Sequence, residues 1–350
     1  MENRKGIWWL MVVSLMVLAS CSADVDIYAD YKEIPVVYAI IDAQADTNFV
    51  KITKSFCGTN DNPVNANQAA QLYDSSNYSE KLDAYIVELK SIPGQSFEPT
   101  GRRIVLDTMT IHDKMEGVFY APHQKLYYTT ERFNTNSVNE KYRYQLCVIT
   151  PDHDTVFSET SVVGGNVTVG TSMVSFQSHP SNAFSKLIFS STEEGILYDI
   201  GMQFNYLEGR PGQTLTHKEV TWHHNAKLLS AYEKVPHTEN LYWFYYSVNT
   251  LFNCLERAIG ADTIADENHP NIVRYIGDFY VFVSAAGEDY YNYQQFLQMS
   301  QSGLTMSSEY SNIEGGCGLF SSRIFVKQQA DLSSNTKLDL FRKPWGFQER

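Results

Sequence analysis

Apolar and polar residues alternate with a period of two through most of this chain, and that pattern predicts strands. Residues 36–41 and 49–53 are both strand-like, and the polar residues 42–47 between them read as a turn, so the fold begins at Ile34 with a hairpin. An Asn-rich stretch over residues 58–78 interrupts the pattern and reads as a surface excursion with a short helix near residues 69–73. Strand character returns at residues 82–89, 104–111 and 142–148. In the last of these Tyr142, Tyr144, Leu146 and Val148 share one face, and Arg143, Gln145 and Cys147 the other, which marks a half-buried strand. Pro151-Asp152-His153-Asp154 follows as a turn, and Thr155-Val156-Phe157 returns as the second arm of a hairpin. Short strands at regular spacing predict an immunoglobulin-like β-sandwich over residues 34–165.

Gly164-Gly165-Asn166 marks a domain boundary, and a second β-rich domain is expected over residues 171–327. Its clearest strand, residues 198–206, places Tyr198, Ile200, Met202, Phe204 and Tyr206 on one face. A one-residue slip would expose that whole face, so its register is firm. Leu241, Phe244, Tyr245, Val248, Leu251, Phe252 and Leu255 recur at three- and four-residue spacing, which predicts an amphipathic helix ending near Gly260. On the opposite side of that helix Trp243 and Tyr246 are the candidate partner-binding anchors, unless the face packs between the domains. Residues 279–285 read as a strand, and Tyr290, Tyr293, Phe296 and Leu297 as a second short helix stopping at Gly303. Residues 328–350 read as a polar, loosely ordered tail. The expected fold class is therefore mainly β: an immunoglobulin-like sandwich followed by a β-rich domain with one or two inserted helices.

The N-terminus breaks this pattern. Arg4 and Lys5 precede an apolar run over residues 6–18, and small residues follow up to Cys21, the order of zones in a secretory signal. The run is too short to span a bilayer with margin. Leu18-Ala19-Ser20-Cys21 resembles the bacterial lipobox, which implies that residues 1–20 are removed and that Cys21 is lipidated. Several acyl chains on Cys21 would anchor the chain stably, with residues 21–33 as an acidic tether. The membrane is then a partner through lipid alone.

Charge sharpens the picture. The formal net charge is -13, and loss of Glu2, Arg4 and Lys5 with the signal makes the mature chain one unit more acidic. Such a surface disfavours nucleic acid and anionic headgroups. Cys57, Cys147, Cys254 and Cys317 remain in a compartment outside the reducing cytosol. If each bridge lies within one domain, Cys57 pairs with Cys147 and Cys254 with Cys317; equally, all four fit as small buried hydrophobes.

Motifs that tie spacing to mechanism are missing: there is no HExxH, GxSxG, P-loop, dinucleotide fingerprint or CxxC. No catalytic residue, metal ligand or cofactor is therefore assigned. His223 and His224 lie in a strand-like context that points them to opposite faces, which does not suit one metal. Asp152, His153 and Asp154 fit a hairpin turn better than a calcium site, and Glu193-Glu194 ahead of Gly195 fits a solvated turn.

Near the end comes Ser311-Asn312-Ile313-Glu314-Gly315-Gly316-Cys317-Gly318-Leu319-Phe320, a glycine-rich turn feeding a strand. It is similar to the closing motif of a family of Bacteroidota outer-membrane lipoproteins of unknown function. The lipobox, the Pro35-Val36-Val37-Tyr38 strand and the strands at 142–148 and 198–206 look like that family's pattern in the same order, so the resemblance covers most of the mature chain. Cys317 departs from it, since an apolar residue is expected there. The resemblance implies an outer-membrane lipoprotein on either face of the membrane, beside a TonB-dependent uptake receptor, and it supplies no catalytic residues. Asp107-Thr108-Met109, Asp154-Thr155-Val156 and Asp262-Thr263-Ile264 look like the short O-glycosylation motif of such bacteria. Physically, Gly315, Gly316 and Gly318 are explained by positive φ or close backbone approach. The expected function is a binding or assembly module presenting a surface to a receptor, glycan or neighbouring protein. The alternatives are a polymer hydrolase with a site between the domains, and a structural or adhesion component.

Overall fold

A computed structural model describes residues 33–349, apart from 57–69, 93, 118, 138, 166, 171, 211, 260–271 and 303–309. Cys21, the tether up to residue 32 and Cys57 thus lie outside the described residues. The first half contains β1 (Pro35–Ile41), β2 (Asn48–Lys54), α1 (Tyr73–Ser76), β3 (Asp83–Ser91), β4 (Glu98–Val105), β5 (Asp107–Ile111), β6 (Gln124–Thr129), β7 (Lys141–Ile149) and β8 (Thr155–Ser161). Next come β9 (Met173–Val174), β10 (Phe184–Ser190), β11 (Leu197–Gly209), β12 (Thr216–His223), β13 (Lys227–Leu228), β14 (Glu233–Lys234) and β15 (Leu241–Ser247). The chain closes with α2 (Thr250–Ile259), β16 (Val273–Ala286), α3 (Glu288–Gln301), β17 (Cys317–Leu332), α4 (Ser334–Arg342) and β18 (Phe347–Gln348). The protein is mainly β, as its alternation predicts.

Two sheets enclose the first core. One runs β1-β2-β6-β5 and the other β4-β3-β7-β8, the A-B-E-D and C′-C-F-G orders of an immunoglobulin-like sandwich. Alternation sends Val37, Ala39, Ile41, Val50 and Ile52 inward from one sheet, where they meet Ala84, Ile86, Leu146, Val148 and Val156 from the other. The single strand expected over 104–111 is two. It breaks at Leu106, which is fully buried and donates its N–H to the Ala84 carbonyl at 2.9 Å, so β4 and β5 belong to different sheets. Inward positions keep their period through the crossing, which hides it from a sequence reading.

The second core lies among β11, β12, β16 and the later part of β17, the three-stranded sheet β10-β15-β14, and the helices α2 and α4. Val162 packs in the first core and Val163 in the second, just ahead of Gly164. Residues 241–247 are a strand, where helical spacing predicted a helix. The run Tyr242-Trp243-Phe244-Tyr245-Tyr246 is aromatic and prefers the pleated surface, and β10 supplies its pairing edge through Leu187↔Phe244 and Phe189↔Tyr242. The helix, α2, starts only at Thr250.

One strand serves both cores. Residues 317–322 of β17 pair in parallel with β1, and residues 323–330 pair antiparallel with β16, so a sheet runs continuously as β12-β11-β16-β17-β1-β2-β6-β5. Phe320 is fully buried in the first core and Ile324 in the second. Gly318 makes the junction possible: at φ +121°, a Cβ there would stand 1.9 Å from the Val37 carbonyl oxygen. Residues 328–349 are not a loose tail. Ser333 caps α4 by accepting from the Thr336 N–H, Leu340, Trp345 and Phe347 are buried, and β18 pairs with β16. Among the described residues no helix is long and apolar enough to cross a membrane.

Candidate functional site

A cleft opens where β2 and β6 part. Their pairing covers only Asn48, Phe49 and Val50 against Thr129, Tyr128 and Tyr127, while β2 stays paired with β1 as far as Lys54. Beyond Val50 the gap widens into a cavity of about 540 Å³. Alternation on β2 points Val50 and Ile52 to the core and Lys51 and Thr53 into this cavity, with Tyr38 of β1 opposite Lys51. Ser76 and Asn77 from the end of α1, and Lys114, Phe119, His123 and Gln124 from around the β5–β6 connection, complete the walls together with Phe56. The Phe56 and Phe119 rings meet edge to face at 6.2 Å.

The charge of this cleft is one-sided. Lys51, Lys54 and Lys114 line it with His123, and no described lining residue is acidic, in a chain of net charge -13. Lys114 donates its ammonium to the Tyr120 carbonyl, and the Lys54 ammonium sits 5.4 Å from the centre of the Tyr78 ring. Lys51 is half-buried, and no carboxylate or hydrogen-bond acceptor among the described residues meets its ammonium. Burial, and then the neighbouring Lys114 charge, hold its pKa below the ordinary lysine value. His123 Nδ1 lies 3.3 Å from the Tyr120 hydroxyl, and its ring meets His112 at 4.5 Å.

Two other places gather polar groups. A cavity of about 800 Å³ lies at the bulge between β11 and β16, where the register shifts between Phe204 and Tyr206. Its His217, Asp278, Lys337 and Glu349 carry both signs of charge, so it favours no one class of ion. On the outer face of β11 and β12, Asp199 Oδ2 and His223 Nδ1 are 2.7 Å apart, and Ser284 faces Asp199 across the ladder. No hydrogen bond joins Ser284 to His223, so the nucleophile–base contact of a triad is not formed. His224, the residue just after β12, turns to the other side. Its ring packs on Phe244 at 4.7 Å, its buried Nε2 has no partner among the described residues, and burial lowers its pKa. Among the described residues no three His, Cys, Asp or Glu side chains converge to hold a metal.

The structure moves several residues singled out by sequence. On β15, Trp243 and Tyr246 face opposite sides of the sheet. Trp243 is half-buried under the Lys186 ammonium, 3.7 Å from its ring, and Tyr246 is 2% exposed in the second core, so the pair forms no open anchor. Of the two readings of Cys254 and Cys317, the bridge is not made and both are free thiols: Cys254 is buried in the second core on α2, whereas Cys317, partly exposed, sits opposite Val36 on β17. Cys147 is also a free thiol, and burial pushes the Cys147 and Cys254 thiols up. Asp152, His153 and Asp154 form the β7–β8 turn, with His153 at φ 63°. Glu193 pairs with Lys141, and Glu194, at φ 61°, accepts from Asn136. Thr108 lies on β5 and Thr155 is exposed at the start of β8, while Thr263 is outside the described residues.

Lys51, Lys114 and Phe119 had no distinguishing mark in the sequence. The alternation of β2 places Lys51 outward, as it would any solvated residue, and nothing local brings residues 114–123 beside it.

Fold and site together define a mainly β protein in which two cores share one strand and a basic, aromatic-walled cleft opens beside the first. No protein-family model matches the chain, and no curated protein matches it.

Proposed function

We propose that this protein is a lipid-anchored binding module of the cell envelope, and that its ligand site is the cleft between β2 and β6. The observation that carries the reading is Lys51: a half-buried lysine whose ammonium meets no counter-ion among the described residues, in a concave site walled by aromatic rings. Such a set of cations, rings, hydroxyls and amides is suited to holding a ligand. The lipobox-like Leu18-Ala19-Ser20-Cys21 supports the anchor. The resemblance to Bacteroidota outer-membrane lipoproteins supports the outer membrane as its location and a TonB-dependent receptor as its neighbour.

Fractionation of native cells expressing the full chain or Cys21→Ser tests the anchor, with fatty-acid labelling and crosslinking as readouts. The intact chain should carry label, sediment with the outer membrane and crosslink to a receptor. Cys21→Ser should lose both label and sedimentation. Recovery of an unlabelled intact chain in the soluble fraction would overturn the anchor, and reproducible crosslinking to no envelope protein would overturn the assembly role.

A further inference from the structure

We infer that the cleft between β2 and β6 binds an oxyanion borne on a ring, with Lys51 and Lys114 holding the charged group and Tyr38, Phe56 and Phe119 packing the ring. The inference rests on the reading of this cleft as the ligand site and adds the chemistry of the ligand.

Several other cations among the described residues are paired with carboxylates. Lys81 meets Asp107 at 2.9 Å, Lys90 meets Glu140 at 2.7 Å, Arg102 meets Glu88 at 3.0 Å and Arg274 meets Glu208 at 2.6 Å. Lys51 instead shares its cavity with Lys114, whose charge acts on it with the same sign. Burying a charge without a partner is unfavourable, and a like charge close by adds to the cost. A carboxylate, sulfate or phosphate placed between Lys51 and Lys114 removes both penalties at once, through charge-assisted hydrogen bonds. Gln124 lines the same cavity and carries an amide donor that suits a group with several oxygens.

Shape narrows the class. A volume of about 540 Å³ accommodates a small molecule or the terminal group of a larger one. The edge-to-face pair Phe56 and Phe119, with Tyr38 across the cleft, offers flat apolar surface for a ring. A long polyanion is disfavoured, because the rest of a chain of net charge -13 repels it. One oxyanion is held within a few ångströms of the lysines, well inside a screening length of about 8–10 Å.

Titration calorimetry on the detergent-solubilised full chain tests this, with phenyl phosphate, benzoate and glucuronate as anionic probes and phenol, benzyl alcohol and methyl glucoside as neutral ones. At least one anionic probe should bind about tenfold or more tighter than its neutral counterpart, a preference that shrinks as salt is added. Lys51→Gln should abolish the preference while melting no lower than the parent, and Lys51→Arg should retain it. Equal binding of anionic and neutral probes, both weakened by Phe119→Ala, would overturn the oxyanion and leave the cleft as the ligand site. Binding of no probe would overturn both readings. An unchanged preference in Lys51→Gln, or a marked loss of its folding stability, would reassign Lys51 to a structural role and overturn the inference.

Discussion

Glu88→Gln measures what a charge buried between the sheets of the first sandwich contributes. Glu88 lies on β3 and is 4% exposed. Its carboxylate accepts from the Tyr144 hydroxyl at 2.7 Å, Arg102 Nη1 at 3.0 Å, Asn134 Nδ2 at 2.9 Å and the Thr100 hydroxyl at 3.1 Å. The Tyr144 hydroxyl in turn accepts from the Asn134 backbone N–H at 2.7 Å, which ties the β6–β7 connection to the same cluster. Burial alone would raise the Glu88 pKa, but hydrogen bonds from Tyr144, Arg102 and Thr100 outweigh it and hold the carboxyl below the ordinary glutamate value. Glutamine keeps the shape, yet its NH₂ cannot accept, so some of these donors lose their partner. Removing one member of a buried ion pair costs about 3–5 kcal/mol. The Arg102 side chain is 31% exposed and keeps Glu131 and the Arg132 carbonyl, so the expected loss is lower, about 2–3 kcal/mol near pH 7. Because the folded pKa is depressed, this stabilisation is present above the unfolded value of about 4.3 and is lost as pH falls through the folded one. Urea unfolding of both proteins near pH 7 and near pH 3 should therefore show a gap that narrows in acid. A loss below about 0.5 kcal/mol near pH 7, or an equal gap at both pH values, would refute the reasoning.

Gly318→Ala forces β1 away from β17, because the new Cβ would overlap the Val37 carbonyl; a loss of about 3 kcal/mol or more is expected in chemical unfolding. Gly212→Ala is the control: it has positive φ but open space, so it should cost only about 1–2 kcal/mol. His224 has a folded pKa lowered by burial, which outweighs the opposing pull of Asp199 and acts with the charges of Lys227 and His223. Its unfolded form therefore takes up a proton that the folded form refuses, and stability falls as pH drops below about 6.5. His224→Phe, packing on Phe244, should flatten that fall in urea midpoints between about pH 7.5 and 5, and an unchanged slope would rule His224 out as its source.

The elements that could be read from sequence are those whose evidence is local. β1, β2, β7 and β11 follow from alternation, since their large apolar core residues lie two residues apart, and a hairpin such as β7–β8 pairs neighbours along the chain. Gly318 was legible as a close approach, although not as an approach to Val37. At residues 241–247 two periods fit the same letters, and only the neighbouring strand β10 selects the pleated form. At Leu106 the inward period continues while the chain changes sheets, so the break has no local mark.

What the sequence alone determined is the β-rich class, several of its strands and the lipobox-like Leu18-Ala19-Ser20-Cys21, because periodicity and short motifs are properties of neighbouring residues. Tertiary structure decided what depends on partners distant in the chain. β17 joins both cores by pairing residues 317–322 with β1, far away along the chain, a parallel contact that no turn can encode. The same holds for the cleft: Lys51 is an ordinary outward lysine until the parting of β2 and β6 places it in one cavity with Lys114, half-buried and with no counter-ion among the described residues.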